Sequence, residues 1–201
     1  MEIRQPLTSD LDLTQRWDAT QMRILDAADE LIGARGVHGV TTAELARTAG
    51  LSRPTVYRNW SGADEVVRAA LLRRVIVLLA AGDQQADSRE RIVAEVMRFS
   101  AAFQEDPLFR SLLDREPEVF TRYLLQRFGA SQRVILQHLS AAIALGQPGG
   151  TVRDGDADEI AVMLLLIAQS AILSHGTVSD LLDQAAWTRE LGAALDGHLR
   201  P

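Results

Sequence analysis

From Trp17 onward the apolar residues recur at steps of three and four. Trp17, Ile24, Leu25, Ala28, Leu31 and Ile32 share one face, interrupted only by Gln21, and Gly33 and Gly36 end the run. This predicts a first helix over 17–35. Val37 and Val40 then lie beside a second pattern, the stretch TTAELARTAGLSRPTVYRNWS at 41–61. Thr41 and Glu44 have the spacing of a capping box, and Gly50 suits the left-handed end of a helix. Ser52 can cap the next helix, and Pro54 falls in its first turn, where a missing N–H does little harm. Leu45, Ala49, Leu51, Val56 and Trp60 can close a small core, with Ala46 small where the two helices nearly touch. Two short helices around one tight turn, 42–49 and 53–60, make a helix-turn-helix, whose second helix enters the DNA major groove.

The same periodicity predicts helices for the rest. Ser61 with Asp64 opens one that runs to about Ala81 on Val66, Val67, Ala70, Leu71, Val75, Leu78 and Leu79. After a polar loop at 82–88, helices are predicted over 89–105 and from Pro107 to before Pro117. The segment 118–145 reads as one long helix or two, with Gly129 as the kink. Following the Gly- and Pro-rich loop at 146–154, Asp154 is placed to cap a helix through Leu173, and 179–199 closes the chain. No stretch alternates with period two for long enough to be a strand. The expectation is an all-α chain of about nine helices. It comprises a flexible arm over 1–16, a helix-turn-helix domain over 17–61, and a helical ligand-binding and dimerisation domain over 62–201.

Composition narrows the chemistry. The chain has 201 residues, 47% of them apolar, enough for a substantial core. With no cysteine, disulfides, thiol catalysis and thiolate metal sites drop out together. His38, His138, His175 and His198 do not pair at helical spacing, so neither a metal nor a cofactor is expected. There is no G-x-S-x-G, and the reading is of a non-enzyme. Gly33, Gly36 and Gly39 lack the strand and the Lys of a phosphate loop. The acids at 154–159 lack the Gly and Glu of a calcium loop. The start, MEIRQPLTSDLDLT, has no apolar core of signal-peptide type, which places the chain in the cytoplasm. The most apolar run, Ile160–Ile167, reaches Leu173 only through Gln169 and Ser170, and reads as a buried helix, short of the ~20 apolar residues of a membrane span. The net charge of −6 is uneven. Residues 1–60 hold seven Arg and eight acids, whereas 41–61 holds Arg47, Arg53 and Arg58 against Glu44. A locally basic helix on an acidic body suits a protein that touches DNA through one small surface.

With Val56 and Trp60 turned inward, a 100° step per residue points Arg58 outward, flanked by Pro54 and Thr55, with Tyr57 to one side. Arg53, in the first turn, has a long reach. Arginine pairs with guanine O6 and N7, and Thr55 and the Pro54 ring suit a thymine methyl. Thr42, Tyr57 and Asn59 are placed for phosphates, which position without specifying.

The stretch from Arg23 to Val66 resembles the DNA-binding domain of TetR-family transcriptional regulators. The residues that carry the likeness are Ile24-Leu25-Asp26-Ala27-Ala28, Leu31, Gly36, Gly39, Thr41, Leu45-Ala46, Ala49-Gly50, Ser52, Pro54-Thr55-Val56-Tyr57 and Trp60. The resemblance implies a homodimer on a near-palindromic operator, with a second domain that holds a small molecule and releases DNA when occupied, hence a repressor. It also implies base contacts at Arg53, Pro54, Thr55 and Arg58, and backbone contacts at Thr42, Tyr57 and Asn59. Two positions depart from the family. An aromatic followed by Pro-Ser-Lys is frequent at the start of the fourth helix, but here Trp60-Ser61-Gly62-Ala63 puts Ala63 at the lysine position. Asn59 stands where His or Tyr is frequent.

For the second domain, Phe99, Phe103, Tyr123, His138, Met163 and Gln169 are the candidate pocket residues. A filled core accounts for the aromatics as well, and a hydrogen bond across a dimer accounts for Gln169. Ile160, Leu164, Ile167, Ala171, Leu182, Ala186 and Leu195, on helices at about 155–174 and 179–199, are the expected two-fold interface. The competing reading is an architectural or recruitment protein whose C-terminal domain binds a protein partner.

Overall fold

A computed structural model describes residues 17–118, 121 and 128–201. The predicted arm at 1–16 and the candidate Tyr123 lie outside the described residues. Among those described there are nine α-helices and no strand. In chain order they are α1 (Ala19–Arg35), α2 (Thr42–Thr48), α3 (Arg53–Asn59), α4 (Ala63–Ala80), α5 (Arg89–Glu105), α6 (Pro107–Arg115), α7 (Ala130–Gly146), α8 (Ala157–Val178) and α9 (Gln184–Leu199). A 3-10 turn, Val37–Gly39, joins α1 to α2.

The chain divides into two compact units. One holds the described residues of Asp12–Val77 and Glu105–Ser131, and the other holds Leu78–Gln104 and Gln132–Pro201. This cut differs from a boundary at residue 61, because α6 belongs with the N-terminal helices. Its first residue follows Asp106, whose carboxylate caps Leu108 N (3.0 Å) and Phe109 N (3.3 Å) and is paired with the Arg74 guanidinium of α4. On the other side, Arg73 of α4 reaches Asp26 (2.7 Å) and Asp29 (2.8 Å) of α1. Burial holds the Asp29 carboxyl above its ordinary value, against the pull of Arg73.

Local signals account for most helix ends. At α1, Gln21 interrupts the apolar stripe because its side chain accepts from Asp18 N (3.0 Å), while Asp18 accepts from Gln21 N (2.8 Å). This is a reciprocal cap. Two predicted caps and one helix start are corrected. Ser61 meets Glu65, not Asp64, donating from both N and Oγ at 2.7 Å. Asp156, not Asp154, caps α8 by accepting from Asp158 N and Glu159 N. The last helix starts later than Ser179, because Asp183 caps it through Ala186 N (2.8 Å).

The second unit is built on Ile92, Leu136, Ile143, Ile160, Leu164 and Leu195, all fully buried. Truncating such a residue to Ala removes ~2–5 kcal/mol of stability. Ile160, Leu164 and Leu195 are therefore core, not a partner-facing surface as expected. Helix α8 is longer and more apolar than the sequence reading allowed. At 22 residues and a mean hydropathy of 1.7 it is long and apolar enough to cross a membrane, yet only 33% of that stretch is buried. Ile160, Ala161, Leu164, Leu165 and Ala168 pack one side of it into the core, Gln169 bonds Gln132 (3.0 Å), and the opposite face is uncovered.

Candidate nucleic-acid interface

The turn between α2 and α3 is closed first by backbone hydrogen bonds. Leu51 N donates to Ala46 O (2.8 Å) and Gly50 N to Arg47 O (3.2 Å). These are the two bonds of a Schellman end, and Gly50 supplies the left-handed residue at φ +62°. The carbonyls left over are taken from a distance. Arg23 of α1 donates Nη2 to Ala49 O (2.7 Å) and Gly50 O (3.3 Å). Ser52 then caps α3, accepting from Thr55 N (3.3 Å). Val56 and Trp60 are buried, as the apolar pattern requires, and Leu45 and Ala46 close the same core. The angle between the two helices is thus set at its turn, at its core and by Arg23.

That rigidity leaves one face of α3 exposed. Arg53, Pro54 and Arg58 are exposed, and the Tyr57 ring is 58% exposed. Thr55 is half-buried, with its hydroxyl 2.8 Å from Ser52 Oγ and 3.4 Å from Arg58 Nη2. Asn59 donates Nδ2 to Thr55 O (2.8 Å), so its amide is folded onto its own helix. Thr42, half-buried, opens α2 beside the Thr41 cap.

The arginines of this unit divide by what they meet. Arg23 holds the turn, while Arg35 (2.9 Å) and Arg47 (3.0 Å) share the carboxylate of Glu44. Glu44 therefore serves this pair instead of returning to Thr41 N as a full capping box would. Among the described residues no carboxylate is paired with Arg53 or Arg58, and Arg58 gives only one long bond, to the Thr55 hydroxyl, so both guanidiniums have donors left for an outside acceptor. No short-range sequence signal exposes the Arg23 contact, which spans 26 residues. The Glu44 pairing was half visible, since Arg47 lies at i+3.

The described candidate pocket residues, Phe99, Phe103, His138, Met163 and Gln169, fall in the second unit. Phe99 and Phe103 stand side by side on α5, ring centroids 6.1 Å apart, Phe103 buried and Phe99 half-buried. His138 on α7 is half-buried, and burial pushes its imidazole below the ordinary value, with Glu95 opposing. Gln169 has its partner within the chain, Gln132, where a ligand or dimer partner was expected. Met163, 48% exposed, stands on the outer side of α8. On that same outer side an open groove of about 560 Å³ runs between α8 and α9, walled by Leu166, Ile167, Ala171, Leu182, Trp187 and Leu191.

Residues 24–70 match the profile described as "Bacterial regulatory proteins, tetR family". The chain is 39% identical over 177 residues to an uncharacterized HTH-type transcriptional regulator of Mycobacterium tuberculosis, covering 88% of this chain and 93% of that one. Among solved structures it resembles the TetR-family transcriptional repressor QsdR of R. erythropolis, with a TM-score of 0.69 at 18% identity, covering 92% and 96% of the two chains. It also resembles RolR in complex with resorcinol, with a TM-score of 0.68 at 17% identity, covering 90% and 87%. The two structural likenesses are likenesses of fold.

Proposed function

Because the chain belongs to the TetR family of bacterial transcriptional regulators, we propose that it is a cytoplasmic repressor, a homodimer that binds a near-palindromic operator and lets go when a small molecule occupies its C-terminal unit. The observation that carries the reading is the pair Arg53 and Arg58. They are exposed and paired with no carboxylate among the described residues, on a helix whose angle is fixed at the turn and in the core. Arg53, Pro54, Thr55 and Arg58 read bases, and Thr42 and Tyr57 hold the backbone. Asn59 contributes less than the family pattern implies, because its amide is spent on Thr55 O.

The effector site belongs to the unit of α5, α7, α8 and α9. Phe99 and Phe103 offer it an apolar wall, and His138, whose imidazole burial shifts toward the neutral form, a polar one. RolR, similar in fold, holds a small molecule. The coupling is a shift in population: the effector favours a dimer whose two α3 helices no longer match the operator spacing.

The test is selection of sheared genomic DNA from the source organism by the purified protein, followed by sequencing. The recovered fragments are expected to share two inverted half-sites whose centres lie ~34–36 Å apart or a multiple of that. Fragments with no common motif, or with single half-sites only, would sink the reading.

A further inference from the structure

A carboxylate just past the end of α6 meets the connection between α1 and α2. Glu116, which follows α6, accepts hydrogen bonds from Val37 N at 2.5 Å and His38 N at 3.3 Å. These are the first N–H groups of the 3-10 turn, which have no partner inside it. The residue before, Arg115, donates Nη1 to Ala34 O (3.0 Å) in the last turn of α1. Opposite charges on successive residues thus meet opposite backbone ends: the cation the carbonyl end of α1, the anion the amide end of the turn. Gly36 lies between them at φ +75° and ψ −180°, a conformation open to glycine and strained for other residues. A β-carbon at position 36 would stand 2.6 Å from the Glu116 carboxylate carbon, so the carboxylate occupies the space that glycine leaves. From there Val40 and Thr41 lead directly into α2. The other end of α6 is also pinned, by the pair between Asp106 and Arg74 of α4. All of these contacts lie within one compact unit.

We propose that Glu116 is a positioning residue for DNA binding: by accepting from Val37 and His38 it sets the α1–α2 connection, and through it the placement of α2 and α3. The proposal rests on the reading of α3 as the DNA-binding helix. It makes the C-terminal end of α6 a handle on the reading unit, acting at the entry to α2.

The test uses the full-length protein, with Glu116→Ala and Glu116→Gln. The DNA probe is the duplex most enriched by the parent from a random-sequence pool, with an unselected duplex of equal length as control. Glu116→Ala is expected to bind the enriched duplex about tenfold more weakly, within the range of typical coupling between sites. It is also expected to exchange the Val37 and His38 amides faster, and to keep its melting temperature within a few degrees. Glu116→Gln, which keeps one acceptor oxygen and the shape, falls between. Gly36→Ala supplies a readout that a merely stabilising role would not move. Its methyl collides with the carboxylate, so its loss of DNA affinity is expected to be smaller in the Glu116→Ala background than in the parent. Strictly additive losses overturn the proposal. So does faster exchange with unchanged DNA binding, or unchanged exchange. An enriched duplex bound equally by parent and Glu116→Ala defeats this proposal alone. A parent that enriches no duplex defeats the reading of α3 itself, and this proposal with it.

Discussion

Arg58 and Ala63 carry opposite messages about how one residue contributes to DNA binding. Arg58 stands exposed opposite the buried Val56 and Trp60, its nearest internal partner the Thr55 hydroxyl at a long 3.4 Å. A weak contact of that kind is readily exchanged for a base edge. Arg58→Ala is expected to leave folding unchanged and to lose ~1–3 kcal/mol of discrimination between operator and random duplex. Equal affinity ratios for parent and variant in a fluorescence anisotropy titration would show that Arg58 is not a reader. Ala63, the first residue of α4, sits at the position where the family resemblance implies a lysine, with no side-chain donor to offer. Ala63→Lys is expected to tighten binding to all duplexes alike and to steepen the salt dependence by about one phosphate contact. A change that depended on sequence would contradict a backbone role.

At the scale of elements, the caps decide where helices begin, and one of them carries a charge that titrates. Ser61 donates from its N–H first and its hydroxyl second to Glu65, which holds that carboxyl below its ordinary value of 4.5. A carboxylate depressed in the folded state stabilises it fully above the unfolded pKa, and the contribution is lost as pH falls through the lower, folded value. Amide protection in the first turn of α4 is therefore expected to be constant at neutral pH and to decline below about pH 4.5. Glu65→Gln should flatten that decline, and an unchanged pH profile in the variant would assign it to another group. The same cap shows what the sequence made legible. Helical periodicity placed α1, α2, α3, α5 and α6 to within a residue or two, helped by local stops and starts: Gly36, Thr41, Ser52, Pro107. Where acids repeat, as at Asp154, Asp156 and Asp158, or Asp64 and Glu65, several residues offer the same local signal and only the folded backbone selects one. The exposed face of α3 was legible for the same local reason. The supports behind it were not, since Arg23 and Glu116 act across 26 and 79 residues, where no spacing rule applies.

The whole molecule turns on the uncovered side of α8 and α9. Leu166 is 45% exposed, Met163 48% and Leu181 85%, and the groove between the helices is open along its length. A 22-residue helix of mean hydropathy 1.7 with only a third of its apolar stretch buried exposes more such surface than a single soluble chain normally does. Its buried face is already committed to Ile160 and Leu164 of the core, and Ile167, Ala171 and Leu182 are only partly covered, so we infer that the groove they form with the exposed Leu166 is where a second copy docks. A two-fold pairing there places the same groove on both sides of the axis, so each residue is used twice. Leu166→Asp is the sharp test, because this side chain is exposed in the single chain and its replacement leaves the core intact. Sedimentation velocity is expected to turn a dimer of the parent into a folded monomer. The affinity for a two-half-site operator is expected to fall by about 10²–10⁴-fold, the advantage gained by linking two binding units, while binding to an isolated half-site stays as it was. A variant that remains dimeric would move the interface elsewhere. A monomeric variant that keeps full operator affinity would remove the need for a two-fold partner in reading DNA.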